Sequence, residues 1–130
     1  MGVNYLWDTN TVVYYLQQQY LPNAEKFIDT ILTTNYPVIS VITEIELLCW
    51  DIKHKQDEWL LRKFIDQSTI IELESAIKFK TAEIRKINKI KLPDAIIAAT
   101  AIISDLILLT SNISDFKLMK ELKLFDPHSL

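Results

Sequence analysis

Apolar positions along this chain fall in two registers. Short unbroken runs read as strands: residues 3–7 (VNYLW), 37–40 (PVIS), 68–73 (STIIEL), 106–110 (LILLT) and 123–126 (KLFD). Between them apolar residues recur every three or four positions, the period of a helix with one buried face. A helix after Asp8 carries Val12, Val13 and Leu16, and a second, opened by Pro22, carries Phe27, Ile28, Ile31 and Leu32. ITEIELLCWDI (42–52) continues as a helix that Ser40 or Thr43 can cap, and residues 56–66 repeat an amphipathic pattern. A longer helix runs from Ser75 to Asn88, and Pro93 falls in the first turn of another, over about 93–104, where proline is favoured. Continuous apolar strands alternating with helices predict a parallel sheet covered on both faces. The expected fold is α/β: a three-layer α/β/α sandwich of about five strands, forming one domain over residues 1–130.

Composition narrows what such a fold can do. Apolar residues make up 49% of the 130 positions, enough for a sizeable core. No apolar run approaches the roughly 20 residues that cross a bilayer, and no basic segment with a cleavage site opens the chain, so neither membrane span nor secretion signal is expected. Cys49 is the single cysteine, which excludes an intramolecular disulfide, fits the reducing cytoplasm and rules out a multi-thiolate zinc site. Only His54 and His128 offer imidazole, and the only glycine is Gly2, so phosphate cradles of the P-loop or dinucleotide type cannot be built. A net charge of −3 argues against electrostatic coating of nucleic acid. Yet Lys78, Lys80, Arg85, Lys86, Lys89 and Lys91 stand against one acid, Glu83. This run reads either as a solvated helix face or as the basic border of an acidic site.

In open parallel sheets ligands bind beyond the carboxyl ends of the strands. Asp8 follows the first strand, Glu44 and Glu46 follow the second, Asp94 opens a helix, and Asn112 and Asp115 follow the fourth strand. Each also has a structural reading: Asp8 as a helix cap, Asp94 as a partner of the helix dipole, Asn112 and Asp115 as turn residues. Glu46 is harder to explain in this way, because Ile45, Leu47 and Leu48 flank it and imply a half-buried carboxylate in need of a partner. Glu44 lies two positions, about 200°, around the same helix, so only one of the two faces a shared site. Converging carboxylates repel one another unless a cation sits among them. Oxygen ligands without cysteine or histidine select Mg²⁺ or Mn²⁺, ions that support hydrolysis of a phosphodiester without a protein nucleophile.

Four stretches in this order resemble the PIN-domain family, in particular its small VapC-type toxin ribonucleases. WDTNTVVYYL (7–16) resembles the first motif, with Asp8 as leading metal ligand and Thr9 as a hydroxyl in the site. SVITEIELL (40–48) resembles the second, where a serine, Ser40, precedes the glutamate by six positions, which selects Glu46 over Glu44. LPDAIIAATA (92–101), the most specific, supplies Asp94; TSNISDF (110–116) supplies Thr110, Asn112 and Asp115. The resemblance spans Val3 to about Phe125. It implies a metal-dependent endoribonuclease, Mg²⁺ or Mn²⁺ held by Asp8, Glu46, Asp94, Asn112 and Asp115, a cytoplasmic homodimer, and inhibition by a cognate antitoxin whose tail enters the acidic groove. Thr9, Ser40, Thr110, Asn112 and Arg85 are the candidate contacts to RNA. Asn112 stands where an acid is common, which points to one firmly held ion or to Asp115 taking its place.

Other readings fit less well. A haloacid dehalogenase-type phosphatase needs a second aspartate two residues after the first, where this chain has Asn10. A receiver domain needs an acidic pair at the first strand. A PIN-like module that binds RNA or protein without cleaving it has no answer to the set Asp8, Glu46 and Asp94. Trp7, Trp50, Trp59, Tyr14 and Tyr15 are read as core or dimer contacts and Cys49 as a small packing residue.

Overall fold

The computed structural model describes residues 4–130, so Val3, placed above at the start of the first strand, lies outside the described residues. Five short strands, β1 (Tyr5–Trp7), β2 (Val38–Ser40), β3 (Thr69–Ile71), β4 (Ile107–Leu109) and β5 (Leu124–Phe125), form one sheet in the order β3-β2-β1-β4-β5. Every neighbouring pair is parallel, with Leu6 beside both Val38 and Leu108. Order reverses at β1, which lies between β2 and β4, so the crevice of the sheet opens where Asp8 leaves it.

Alternation along the strands sets the layers. Leu6 and Leu108 point to one face, Trp7 and Leu109 to the other, and all four are buried. On the first face lie α5 (Ser75–Ile87), α6 (Leu92–Ile103) and α7 (Ile113–Phe116), contributing Ile77, Ile84, Ile97 and Phe116. On the second lie α1 (Thr9–Leu16), α2 (Pro22–Thr34) and α4 (Lys55–Gln67), contributing Val12, Ile28, Leu61 and Phe64. α3 (Val41–Leu48) sits at the edge, giving Leu47 to one cluster and Ile42 to the other. This is the expected three-layer sandwich. A run of small residues keeps α6 close to the sheet and to α5: Ala95, Ala98, Ala99 and Ala101 are fully buried.

With no glycine available after Gly2, two helices end on unusual residues. Gln18 (φ 56°) and Asp105 (φ 53°) adopt the left-handed conformation that closes α1 and α6. In each case the next N–H reaches back to the last turn, Gln19 to Tyr14 O at 2.9 Å and Leu106 to Ala101 O at 2.9 Å. These are complete Schellman closures in which glutamine and aspartate stand where glycine is usual.

Some side chains lie where local pattern did not put them. Cys49, expected to pack, is exposed at the end of α3. On α5 only Ile77, Thr81 and Ile84 turn inward, leaving Phe79 and Ile87 more than three-quarters exposed. Trp59 is exposed too, with the Lys63 ammonium 4.8 Å above its ring.

Candidate functional site

Asp8 is the deepest acid of the chain, 5% exposed, and the structure explains how it is held there. Its backbone N–H donates to Leu109 O (3.1 Å), continuing the ladder with β4, while its carbonyl accepts from Thr11 and Val12 to start α1. The side chain takes two bonds: Oδ1 accepts from the Thr9 N–H (2.8 Å) and Oδ2 from the Thr110 hydroxyl (2.7 Å). Asp8 is therefore a helix cap, but capping uses one oxygen only. The other is tied to the end of β4.

Thr9 reaches outward from the same corner. Its hydroxyl lies 2.6 Å from Glu46 Oε1 and 3.0 Å from the Thr43 hydroxyl. Glu46 is exposed, as are its neighbours Ile45 (50%) and Leu48 (47%), so the half-buried carboxylate expected from those neighbours is not found. α3 turns only Thr43 and Leu47 inward. What brings Glu46 to Asp8 is the Thr9 hydroxyl, not burial. Ser40 is fully buried and caps α3 by accepting from the Thr43 N–H (3.2 Å).

Asp94, in the first turn of α6, is half-buried. Burial first, then Asp115 and Glu46, push its carboxyl above the usual range, and Lys91 opposes them. Asp8 is pushed up as well, chiefly by burial and further by Asp94 and Glu46, against the lowering effect of the bonds from Thr110 and Thr9. The four carboxylates expected from the sequence thus act on one another at the carboxyl edge of the sheet: Asp94 and Glu46 on Asp8, Asp115 and Glu46 on Asp94. Asn112 does not stand apart: its Nδ2 donates to Asp115 Oδ2 (2.9 Å), and its N–H donates to Thr110 Oγ1 (3.0 Å).

Thr110 is fully buried behind Asp8. Arg85 is exposed on the last turn of α5, its Nε donating to Ile90 O (3.2 Å) across the turn into α6. Two contributors escaped the sequence reading: Thr43, weighed only as a cap, and Lys91, submerged in a basic run. The signal for Thr43 was its spacing, three positions before Glu46 and so on the same helix face.

Hard oxygen donors make up this cluster, with no thiol or imidazole among them, and the mutual repulsion of the acids is what a cation would relieve. In donor chemistry these residues suit a hard divalent ion. Among the described residues no three carboxylate, imidazole or thiolate groups are already drawn in tightly enough to enclose one. A groove of about 600 Å³ lies elsewhere, between the end of α1 and the start of α4, with Trp50, His54 and Asp57 on its walls.

The model of the PIN domain matches residues 5–122. The chain belongs to the PIN-domain family. This PIN domain has the fold of a chain in the VapBC2 complex from Rickettsia felis, solved bound to a DNA fragment from its promoter: TM-score 0.79 and 28% identity, over 95% of this chain and 98% of that one. A toxin–antitoxin complex from Klebsiella pneumoniae is similar at TM-score 0.73 and 28% identity, again over 95% and 98%. DNA-bound VapBC from Salmonella typhimurium shares the fold at TM-score 0.81 and 20% identity, over 97% and 99%. No curated protein matches the sequence.

Proposed function

We propose that this PIN domain is a metal-dependent endoribonuclease, the toxin of a toxin–antitoxin pair. The observation that carries the reading is the gathering of Asp8, Glu46, Asp94 and Asp115 from four separate segments at the carboxyl edge of the sheet, where burial first and neighbouring acids second raise Asp8 (Asp94 and Glu46) and Asp94 (Asp115 and Glu46). A structural role for each residue alone does not account for that convergence, which costs stability. Similarity along the whole chain to toxin–antitoxin complexes supports the toxin assignment and an antitoxin as protein partner.

Asp8, Glu46 and Asp94 hold Mg²⁺ or Mn²⁺ in this reading, with Asp115 and Asn112 completing the fourth side. When bound there, such an ion would supply activation of a water and offset charge on the scissile phosphate and leaving oxygen. The protein's own work is placement. Thr9 and Thr110 fix Asp8, Thr9 also fixes Glu46, and Asn112 fixes Asp115. Lys91, whose charge acts on Asp94, offers positive charge beside the acids for an RNA backbone, and the exposed Arg85 of α5 is the second cation we assign to it. The working form in this reading is a cytoplasmic homodimer.

The test is cleavage of single-stranded RNA by antitoxin-free protein, with Glu46→Gln and Glu44→Gln compared side by side. Loss in Glu46→Gln of roughly a hundredfold, with Glu44→Gln near the parent, is the expected result. Equal loss in both, or loss only in Glu44→Gln, contradicts the assignment.

A further inference from the structure

The contacts of Thr9 contain a constraint that settles which way its neighbours point. A threonine hydroxyl has one proton to give. Thr9 Oγ1 lies 2.6 Å from Glu46 Oε1 and 3.0 Å from Thr43 Oγ1. An ionised carboxylate has no proton, and a bond to it is the stronger of the two, so Thr9 donates to Glu46. Thr43 must then donate to Thr9. Thr43 is fully buried, and its hydroxyl makes no other bond among the described residues. The result is a one-way relay, Thr43 to Thr9 to Glu46, running from the interior to an exposed side chain.

Glu46 needs such a restraint. It projects from the open side of α3, its long side chain is free to turn, and the charges of Asp8 and Asp94 repel it. Unrestrained, it would swing into water. We propose that Thr43 is a positioning residue of the carboxylate site, acting through Thr9 to hold Glu46 Oε1 inward and leave Oε2 free for a cation. The cation part of this inference rests on the metal-dependent reading above; the positioning part does not. Removing the Thr43 proton leaves a part-buried lone pair on Thr9 unpaired and takes away the polarisation that strengthens its bond to Glu46.

Thr43→Val keeps the shape and deletes the donor, and Thr43→Ser restores it. Two readouts separate the possible failures: the position of Glu46 in crystals of the metal-free protein, and Mn²⁺ affinity by electron paramagnetic resonance. In Thr43→Val, Glu46 is expected to leave hydrogen-bond distance of Thr9 and Mn²⁺ to bind about tenfold more weakly, with both restored in Thr43→Ser. Glu46 still on Thr9 in Thr43→Val, with parental affinity, overturns the proposal. A parent that binds no Mn²⁺ overturns the metal reading instead, while the Glu46 position still decides the relay. If Thr43→Val does not fold, Thr43→Cys, a poor donor of similar size, is read by the same two criteria.

Discussion

The Thr110 hydroxyl donates to Asp8 Oδ2 at 2.7 Å, joining two residues 102 positions apart. Parallel pairing of β1 with β4 makes this possible, because it sets Trp7 beside Leu109 and so brings the next residue of each strand together. The same hydroxyl accepts from the Asn112 N–H, so a single side chain links the first acid of the site to the residue that precedes α7, which carries the last.

Thr110→Val tests that link. It strips one of two donors from a buried carboxylate and leaves the Asn112 N–H without its acceptor. The protein should lose about 1–3 kcal/mol of stability and bind Mn²⁺ roughly tenfold more weakly. Thr110→Ser should recover most of both. Urea unfolding and a Mn²⁺ titration measure the two effects, and an unchanged affinity in a folded Thr110→Val protein would show that Asp8 is oriented without it.

How far the site could be read from sequence follows from the range of each interaction. Unbroken apolar runs such as LILLT and the helical period of residues 56–66 are local, and they predict β4 and α4 to within a residue or two of Ile107–Leu109 and Lys55–Gln67. Placing acids beyond strand ends needs only the order of elements. The Thr9–Glu46 and Thr110–Asp8 bonds depend on which strands are neighbours, which no local pattern encodes. Glu46 shows the limit from the other side. Its apolar neighbours suggested burial, but α3 lies at the edge of the sandwich, where Ile45 and Leu48 stay open. Cys49, at the end of the same helix, is exposed with them, and Phe79 is exposed because α5 turns only Ile77, Thr81 and Ile84 inward.

Asp94→Asn should separate function from stability. Burial and the nearby acids raise the Asp94 pKa in the folded state above the ordinary aspartate value. A raised carboxyl favours folding while it is protonated, and that contribution is lost as pH climbs through the folded pKa. Metal-free Asp94→Asn should therefore melt higher than the parent at pH 7, with the gap closing as pH falls towards about 3. Its Mn²⁺ affinity should fall sharply. Thermal melts in EDTA across that range check the sign; a lower melting temperature at pH 7 would mean the charge is already compensated.

Gln18→Gly addresses the helix closures. Gln18 is exposed in the left-handed conformation, which glycine adopts without the steric penalty of a Cβ. Against this stands the greater freedom of glycine in the unfolded chain. The net should be a gain of up to about 1 kcal/mol, read from the urea midpoint, and a clear loss would show that the glutamine side chain contributes at this turn.

Tyr20 packs against His128 (ring centroids 4.9 Å apart) and Tyr14 (5.6 Å), clamping the final turn of the chain (Pro127–Ser129) on the second face. Its hydroxyl is buried without a hydrogen bond of good geometry; the nearby Thr11 hydroxyl gives its proton to Leu109 O at 2.6 Å. Burial, chiefly, pushes the phenol up to about 12. The stability this carries is whole below the ordinary tyrosine value of about 10 and is lost as pH rises through the folded value. Tyr20→Phe should match or exceed the parent at pH 7 and pull ahead between pH 10 and about 12. Melting curves over that interval decide it, and parallel losses in the two proteins would contradict the burial account.

The most direct test of the central claim is the metal dependence of RNA cleavage by antitoxin-free protein, compared with Asp8→Asn. The account predicts strand scission in Mg²⁺ or Mn²⁺, none in EDTA, recovery when metal is returned, and a loss of roughly a hundredfold in Asp8→Asn. Cleavage that persists in EDTA, or an Asp8→Asn protein as active as the parent, would contradict a carboxylate-held ion as the agent of hydrolysis.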